Sequence, residues 1–244
     1  MKKIIIILFW MAYTFASNAQ VKPCNATLGF NYNNSQRVPS SVIKSIFENP
    51  NNRDAEHNTT LNRVFSDYGM GFTTPRKQMF IDLSILQGTD YWYSNTYRSE
   101  TSNDTNYTYY DYYDVSASLL GLRAGLRLST PTDNQFFVHY SIGVEELIGY
   151  GVQAYGTSTK RLSNSFEEQE SYTLEPVFTG AYSSSNIVQN VGFAVKLGKD
   201  ESNFPFNKVY VESDFQLLNN ITFLNKNVSH YRTFGCIVAL GYQF

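Results

Sequence analysis

Beyond an N-terminal apolar run from Ile4 to about Ala16, the 244-residue chain lacks any stretch approaching the roughly 18 consecutive apolar residues of a spanning helix. Membrane-spanning helices are therefore excluded. Cysteine is nearly absent, with only Cys24 and Cys236, which rules out a disulfide scaffold; neither has close histidine partners, so no thiolate metal site is expected. Charge is scarce, at 16% charged residues against about 25% in ordinary soluble domains. Neither sign dominates, with 19 basic and 21 acidic residues, which leaves no basic face for a nucleic-acid partner. Walker loops, dinucleotide fingerprints and zinc-protease helices are missing too, and no cofactor is expected.

The start of the chain is a targeting signal. Lys2 and Lys3 precede the apolar run, and Ser17-Asn18-Ala19 supplies the small residues that a signal peptidase reads. Residues 1–19 are read as a signal peptide, and residues 20–244, from Gln20 on, as one β domain. What is abundant in that domain is aromatic: the sequence holds 19 Tyr and 18 Phe beside many Asn, Ser and Thr.

Period-two alternation, the mark of a strand with one greasy face, recurs along the chain. Phe234, Cys236, Val238, Leu240, Tyr242 and Phe244 alternate with Gly235, Ile237, Ala239, Gly241 and Gln243. Similar runs start at Met79, Leu120, Phe136, Val191 and Val209, with weaker ones at Ala26–Tyr32 and Val64–Phe72. Together they predict eight strands. The links between them alternate strictly in length. Short ones fall at Pro75–Gln78, Pro131–Asn134 and Gly198–Asn207; long polar ones fall near Asn34–Thr60, Ser94–Thr108, Thr157–Asn186 and Asn219–His230. An eight-stranded antiparallel transmembrane β-barrel with short periplasmic turns and longer extracellular loops has that asymmetry. A secreted soluble β-sandwich shares the alternation but not the order of link lengths.

The last residues, Leu240-Gly241-Tyr242-Gln243-Phe244, resemble the insertion signal of outer-membrane barrels, and the whole mature pattern resembles the small OmpA- and OmpX-like barrel family. The signal sequence closing on Asn18-Ala19-Gln20 resembles those of Bacteroidota exports. The resemblance implies a bacterial outer-membrane location, contact with outer-membrane lipid, and recognition by the barrel-assembly machinery through Leu240, Tyr242 and Phe244. It is architectural and carries no activity.

If the aliphatic faces meet lipid, Asp82, Arg123, Arg127, His139, Glu145, Lys196, Glu212 and Asp214 point inward. Eight strands enclose a space that side chains just fill, so such charges must pair. Two readings follow: a salt-bridged plug, or a narrow polar path for ions or protons. His139-Tyr140-Ser141 with Glu145 or Glu146 also resembles the His-x-Ser pair and separate Glu of lipid A deacylases. Against it, alternate residues on a strand lie about 6–7 Å apart, and Ile142 follows Ser141 where that family would place Asn. Cys24, just before the first strand, and Cys236, near the middle of the last, are either a staple closing the seam or two separate thiols. Tyr91, Trp92, Tyr93, Tyr97, Tyr107, Tyr109, Tyr110, Tyr112 and Tyr113 flank the second outer loop. They read as an interfacial girdle or as a recognition surface. Asp90, Asp104, Asp111 and Asp114 lie among them without the spacing of a Ca loop. Ser40–Glu48 reads as a short amphipathic helix. The function expected is non-enzymatic: a structural barrel, or one whose extracellular loops bind an envelope protein or surface ligand. A narrow channel, a lipid A-modifying hydrolase and a secreted sandwich stand as alternatives.

Overall fold

The alternating segments form long antiparallel strands. A computed structural model describes residues 22–35, 57–73, 78–102, 105–162, 168–174, 182–198, 205–224 and 227–244. The signal segment and the helix expected at 40–48 lie outside the described residues. Nine strands run in chain order: β1 Lys22–Ser35, β2 His57–Thr73, β3 Met79–Ser102, β4 Thr105–Ser129, β5 Phe136–Leu162, β6 Glu168–Leu174, β7 Tyr182–Lys196, β8 Val209–Leu224 and β9 Asn227–Gln243.

Eight of these strands close a ring. Each pairs with its neighbour in sequence, β5 pairs with β7, and β1 pairs with β9, so the barrel has no free edge. The ninth, β6, pairs only with the far half of β5, at Gly156–Arg161. Following the register from Asn34 through Phe234, Leu217, Gln189, Ile142, Leu126, Ile81 and Phe72 returns to β1 at the Pro23–Asn25 irregularity. That displacement, about ten residues, is the stagger a small closed barrel needs for strands tilted roughly 35–45°.

The outward face carries an aliphatic and aromatic belt. Leu28, Phe30, Met70, Ile85, Leu120, Leu122, Leu126, Phe136, Val138, Val191, Phe193, Phe234 and Leu240 are all exposed. Unbroken apolar surface on every wall is incompatible with water and matches the lipid-facing band of a transmembrane barrel. The belt ends where outward residues turn polar, at Gln87 and Thr89 on β3 and at Ser118 and Ser116 on β4.

Strand length departs from the sequence reading. A spanning strand needs about 9–11 residues, whereas β3, β4 and β5 have 24, 25 and 27. The segments expected as long polar links at 94–108 and 157–186 are largely strand: β3 pairs with β4 out to Ser102↔Thr105. The three strands therefore rise past the belt as a paired arm, with β6 added at its edge. Alternation also changes phase within β5. Ser118 faces Tyr150 but Ser116 faces Gln153, so one extra residue is inserted on β5. Gly151 takes it up at φ 62°, a left-handed conformation suited to glycine, as in a glycine-containing β-bulge. Inward residues are accordingly Glu145 and Leu147 below the bulge and Val152 and Ser158 above it.

Candidate functional site

The lumen is filled in layers. At the short-turn end, Phe137, Ala194 and Tyr210 form an apolar cluster, with the Phe137 and Tyr210 rings edge-on at 5.6 Å. Above it lies a charged layer. Higher still, Leu61, Phe65, Leu86, Trp92, Tyr113, Val115, Leu119 and Leu147 make a second apolar cluster against the β2–β5 wall. The opposite wall is lined by amides: Asn31, Asn33, Asn190, Gln216 and Asn220 are buried there, bonding among themselves and to Ser184 and Asn186.

Glycines on the inner face give the long side chains their room. A Cβ at Gly192 would collide with Asp214 Oδ1, one at Gly235 with Asn33, and one at Gly241 with the Tyr210 ring. The small residues alternating with aliphatics along β9 are thus the floor on which neighbouring strands lay their side chains.

The charged layer contains two linked clusters. Arg63 holds Asp90 through two bonds of 2.6 and 2.9 Å and approaches Glu145 at 3.9 Å. Arg123 bridges Asp67 and Glu145, each at 2.7 Å, and Asn186 donates to the other oxygen of Glu145 at 2.8 Å. In the lower cluster Arg127 reaches Asp82 at 3.0 Å and Glu212 at 3.2 Å, and His139 Nε2 lies 2.9 Å from Asp214 Oδ1. Each of the two inner guanidiniums also lies over a ring, Arg123 over Phe65 and Arg127 over Phe80.

Seven of the eight residues expected inside therefore meet in these clusters, and the eighth does not. Lys196 pairs in register with Tyr210 at the turn end, half-buried, and joins none of the interior ion pairs. It lies level with the Phe137–Tyr210 cluster at the short-turn end. Arg63 and Asp67, not singled out in the sequence, complete the network together with Asp90, which the sequence places only among the tyrosines of the second outer loop. Their signal was parity: Arg63 and Asp67 sit in phase with buried Phe65.

The structure also separates readings that the sequence left open. Cys24 and Cys236 are separate thiols. Cys236 pairs across the seam with Tyr32, whereas the Cys24 carbonyl accepts from Phe244 N at the strand's other end. Eight residues of strand separate those positions, about 26 Å, far beyond disulfide reach. The hydrolase relay is likewise not assembled. His139 bonds Asp214 rather than Ser141, and Glu145 is held by Arg123 and Asn186. The four aspartates of the tyrosine-rich stretch diverge: Asp90 enters the lumen, Asp111 accepts from Ser158 in the arm, Asp114 faces outward, and Asp104 lies outside the described residues.

The tyrosines of the arm divide by face. Trp92 and Tyr113 are core, while Tyr91, Tyr97, Tyr110 and Tyr155 are 39–59% exposed on the outer face. Across the strands Tyr93 packs edge-on against Tyr112 at 5.2 Å and Tyr97 against Tyr110 at 5.7 Å. Lys160 lies over the Tyr107 ring and Arg161 over Tyr110. Tyr91 donates to Asp114 at 2.8 Å, and the carboxylate that accepts its proton pushes the Tyr91 phenol up to about 12, so it remains a donor at neutral pH.

A closed ring of eight strands with an apolar outer belt and a charge-paired lumen defines a transmembrane β-barrel of the outer-membrane type. Solved structures similar to the chain are small barrels of that type. Neisserial surface protein A is 8% identical, with 92% of this chain and 99% of that one covered, at a TM-score of 0.39. The attachment invasion locus protein Ail of Yersinia pestis is 8% identical over 91% of this chain and 100% of that one, at 0.37. The N-terminal barrel domain of Pseudomonas aeruginosa OprF is 10% identical over 91% and 100%, at 0.35. No protein-family model matches the chain, and no curated protein matches it. Likeness at this level says nothing of shared activity; the barrel rests on this chain's own strand order.

Proposed function

We propose that the protein is a non-enzymatic anchor in the bacterial outer membrane that holds the β3–β4–β5 arm outside the cell as a recognition surface. The observation that carries this reading is the arm's outer face, a cross-strand array of exposed tyrosines above the end of the aliphatic belt. Tyrosine offers large contact area at low entropic cost, and backbone pairing with core packing of Trp92 and Tyr113 keeps the array rigid before a partner arrives. The partner is an envelope protein or a surface ligand. The turn end and both strand termini then face the periplasm, and Leu240, Tyr242 and Phe244 act as the assembly signal; Leu240 and Phe244 are exposed on the outer wall.

Support for a plug rather than a pore comes from the two apolar layers that bracket the charged one. The cavity between them measures about 70 Å³, space for a few waters. Photo-crosslinking from Tyr97 and Tyr110 in intact cells tests the recognition surface. A discrete adduct, lost when the exposed tyrosines not carrying the probe (among Tyr91, Tyr97, Tyr110 and Tyr155) are changed to serine, is the expected result. Crosslinking no different from a probe at lipid-facing Leu122 sinks the idea. Location is tested separately by a heat-shift gel on the outer-membrane fraction, where a soluble, unshifted product would overturn the membrane reading.

A further inference from the structure

The lumen holds more negative charge than its arginines neutralise. Asp67, Asp82, Asp90, Glu145, Glu212 and Asp214 meet three guanidiniums and one imidazole among the described ion pairs. The imbalance is sharpest around Arg127. Glu212 turns Oε2 to Arg127 Nη1 at 3.2 Å and Oε1 toward His139 Nε2 at 3.7 Å, while Asp214 Oδ1 lies 2.9 Å from that same nitrogen. One ring nitrogen thus faces two carboxylates, and a single N–H satisfies only one of them.

These three side chains are buried, and their ligand atoms all lie within 4.8 Å of one another. An ion holding tetrahedral ligands at about 2.0–2.2 Å spaces them roughly 3.3–3.6 Å apart; the two distances to His139 Nε2, 2.9 and 3.7 Å, bracket that spacing, and the two carboxylate oxygens lie within 4.8 Å of each other. A second observation points the same way. Asn25 Oδ1 and Asp67 Oδ1 have no hydrogen-bond partner; both residues are more than nine-tenths buried and line the cavity that His139, Glu212 and Asp214 also line. Both atoms are acceptors, so what they lack is a donor such as water on an ion, or the ion itself.

We propose that His139, Glu212 and Asp214 bind a divalent metal ion of the zinc class inside the barrel, with cavity water completing its coordination. The imidazole nitrogen selects a borderline transition ion over calcium or magnesium, which prefer oxygen alone. The ion ties β5 to β8 across Gly192 of β7, which lies in register with both His139 and Asp214 and has no side chain to intervene. It also offsets the surplus negative charge. This site is independent of the arm and its partner.

The test uses untagged, folded protein in detergent, stripped with a chelator and titrated with Zn²⁺ by calorimetry and elemental analysis. About one equivalent is expected, with Ca²⁺ and Mg²⁺ not competing. His139→Gln and Asp214→Asn, each confirmed as folded by heat-shift gel, should weaken Zn²⁺ binding about tenfold or more, in the range for disrupted metal coordination. The sequence has three histidines, so His57→Asn with His230→Asn leaves His139 alone and should retain binding. No uptake by folded wild type, uptake that survives His139→Gln, or loss in the His57/His230 variant would overturn the site. If the lumen variants do not fold, the single-histidine protein carries the test: its Cu²⁺ form must show imidazole-nitrogen coupling in pulsed EPR, and absence of coupling refutes the proposal.

Discussion

Changing Arg123 to methionine should be among the most damaging single substitutions in the barrel. The side chain is about nine-tenths buried and lies 2.7 Å from both Asp67 Oδ2 and Glu145 Oε2. At an effective dielectric near 20 and charge centres about 4 Å apart, each attraction is worth roughly 4 kcal/mol. Desolvation of the guanidinium, several kcal/mol, offsets much of that sum. Removing the arginine does not restore the offset to the carboxylates: Asp67 stays buried without its cation, and the cation left to Glu145 is the more distant Arg63, at 3.9 Å. A net loss of about 3–5 kcal/mol follows, the range for breaking a buried pair. Urea unfolding in lipid vesicles, followed by the heat-shift gel, measures it; with a slope of about 2–3 kcal/mol per molar, the midpoint falls by roughly 1–2 M. Adding Asp67→Asn and Glu145→Gln to Arg123→Met should recover much of the loss, because no unpaired charge then remains. A single-variant loss below about 1 kcal/mol, or no recovery in the triple variant, would refute the claim that the lumen is held by paired charge.

Three further outcomes follow. Gly192→Ala places a methyl against Asp214 Oδ1 and should cost about 1–3 kcal/mol in the same assay by displacing the His139–Asp214 bond; an unchanged midpoint would contradict the packing around Gly192. Leu122→Arg, on the exposed outer face, should cost about 2–4 kcal/mol if that face meets lipid, whereas a neutral effect would favour a water-exposed sandwich. Phe244→Ala should lower the amount of barrel assembled in cells while leaving detergent refolding intact, since Phe244 is 61% exposed and packs mainly on Tyr242; equal loss in both settings would make its role structural.

The spanning part of the barrel was legible because lipid imposes period two. Met79, Ile81, Leu83 and Ile85 alternate with residues of another character, and so do the aliphatics from Leu120 to Leu128. Above the belt that contrast disappears: Tyr93, Asn95, Tyr97, Tyr110 and Tyr112 face outward into water, so their sequence reads as polar loop although it continues as strand. The inward side misleads in the opposite sense. Tyr113, Val115, Ala117 and Leu119 are apolar and buried in the lumen while Asp114, Ser116 and Ser118 face outward, so from 113 to 119 the alternation of β4 is inverted and its phase changes at Leu119–Leu120. On β5 the bulge at Gly151 reverses the parity, and no counting of alternate positions survives it.

Within the lumen, charge identity was readable but charge partnership was not. Parity places Arg123, Arg127, His139, Glu145, Glu212 and Asp214 inside, yet their pairing depends on stagger. The register sets Ala124 of β4 beside Val144 of β5, which brings Arg123 level with Glu145, while Gly192 of β7 leaves His139 of β5 open to Asp214 of β8. A slip of two residues at a seam would preserve every inward and outward assignment and dissolve the pairs that cross it. The glycines decide it: Asp214 fits only over Gly192, and Tyr210 only beside Gly241. The information that fixes the interior chemistry is therefore carried by residues with no chemistry of their own, and for that reason a glycine substitution in β7 is a sharper probe of the lumen than most changes to its charges.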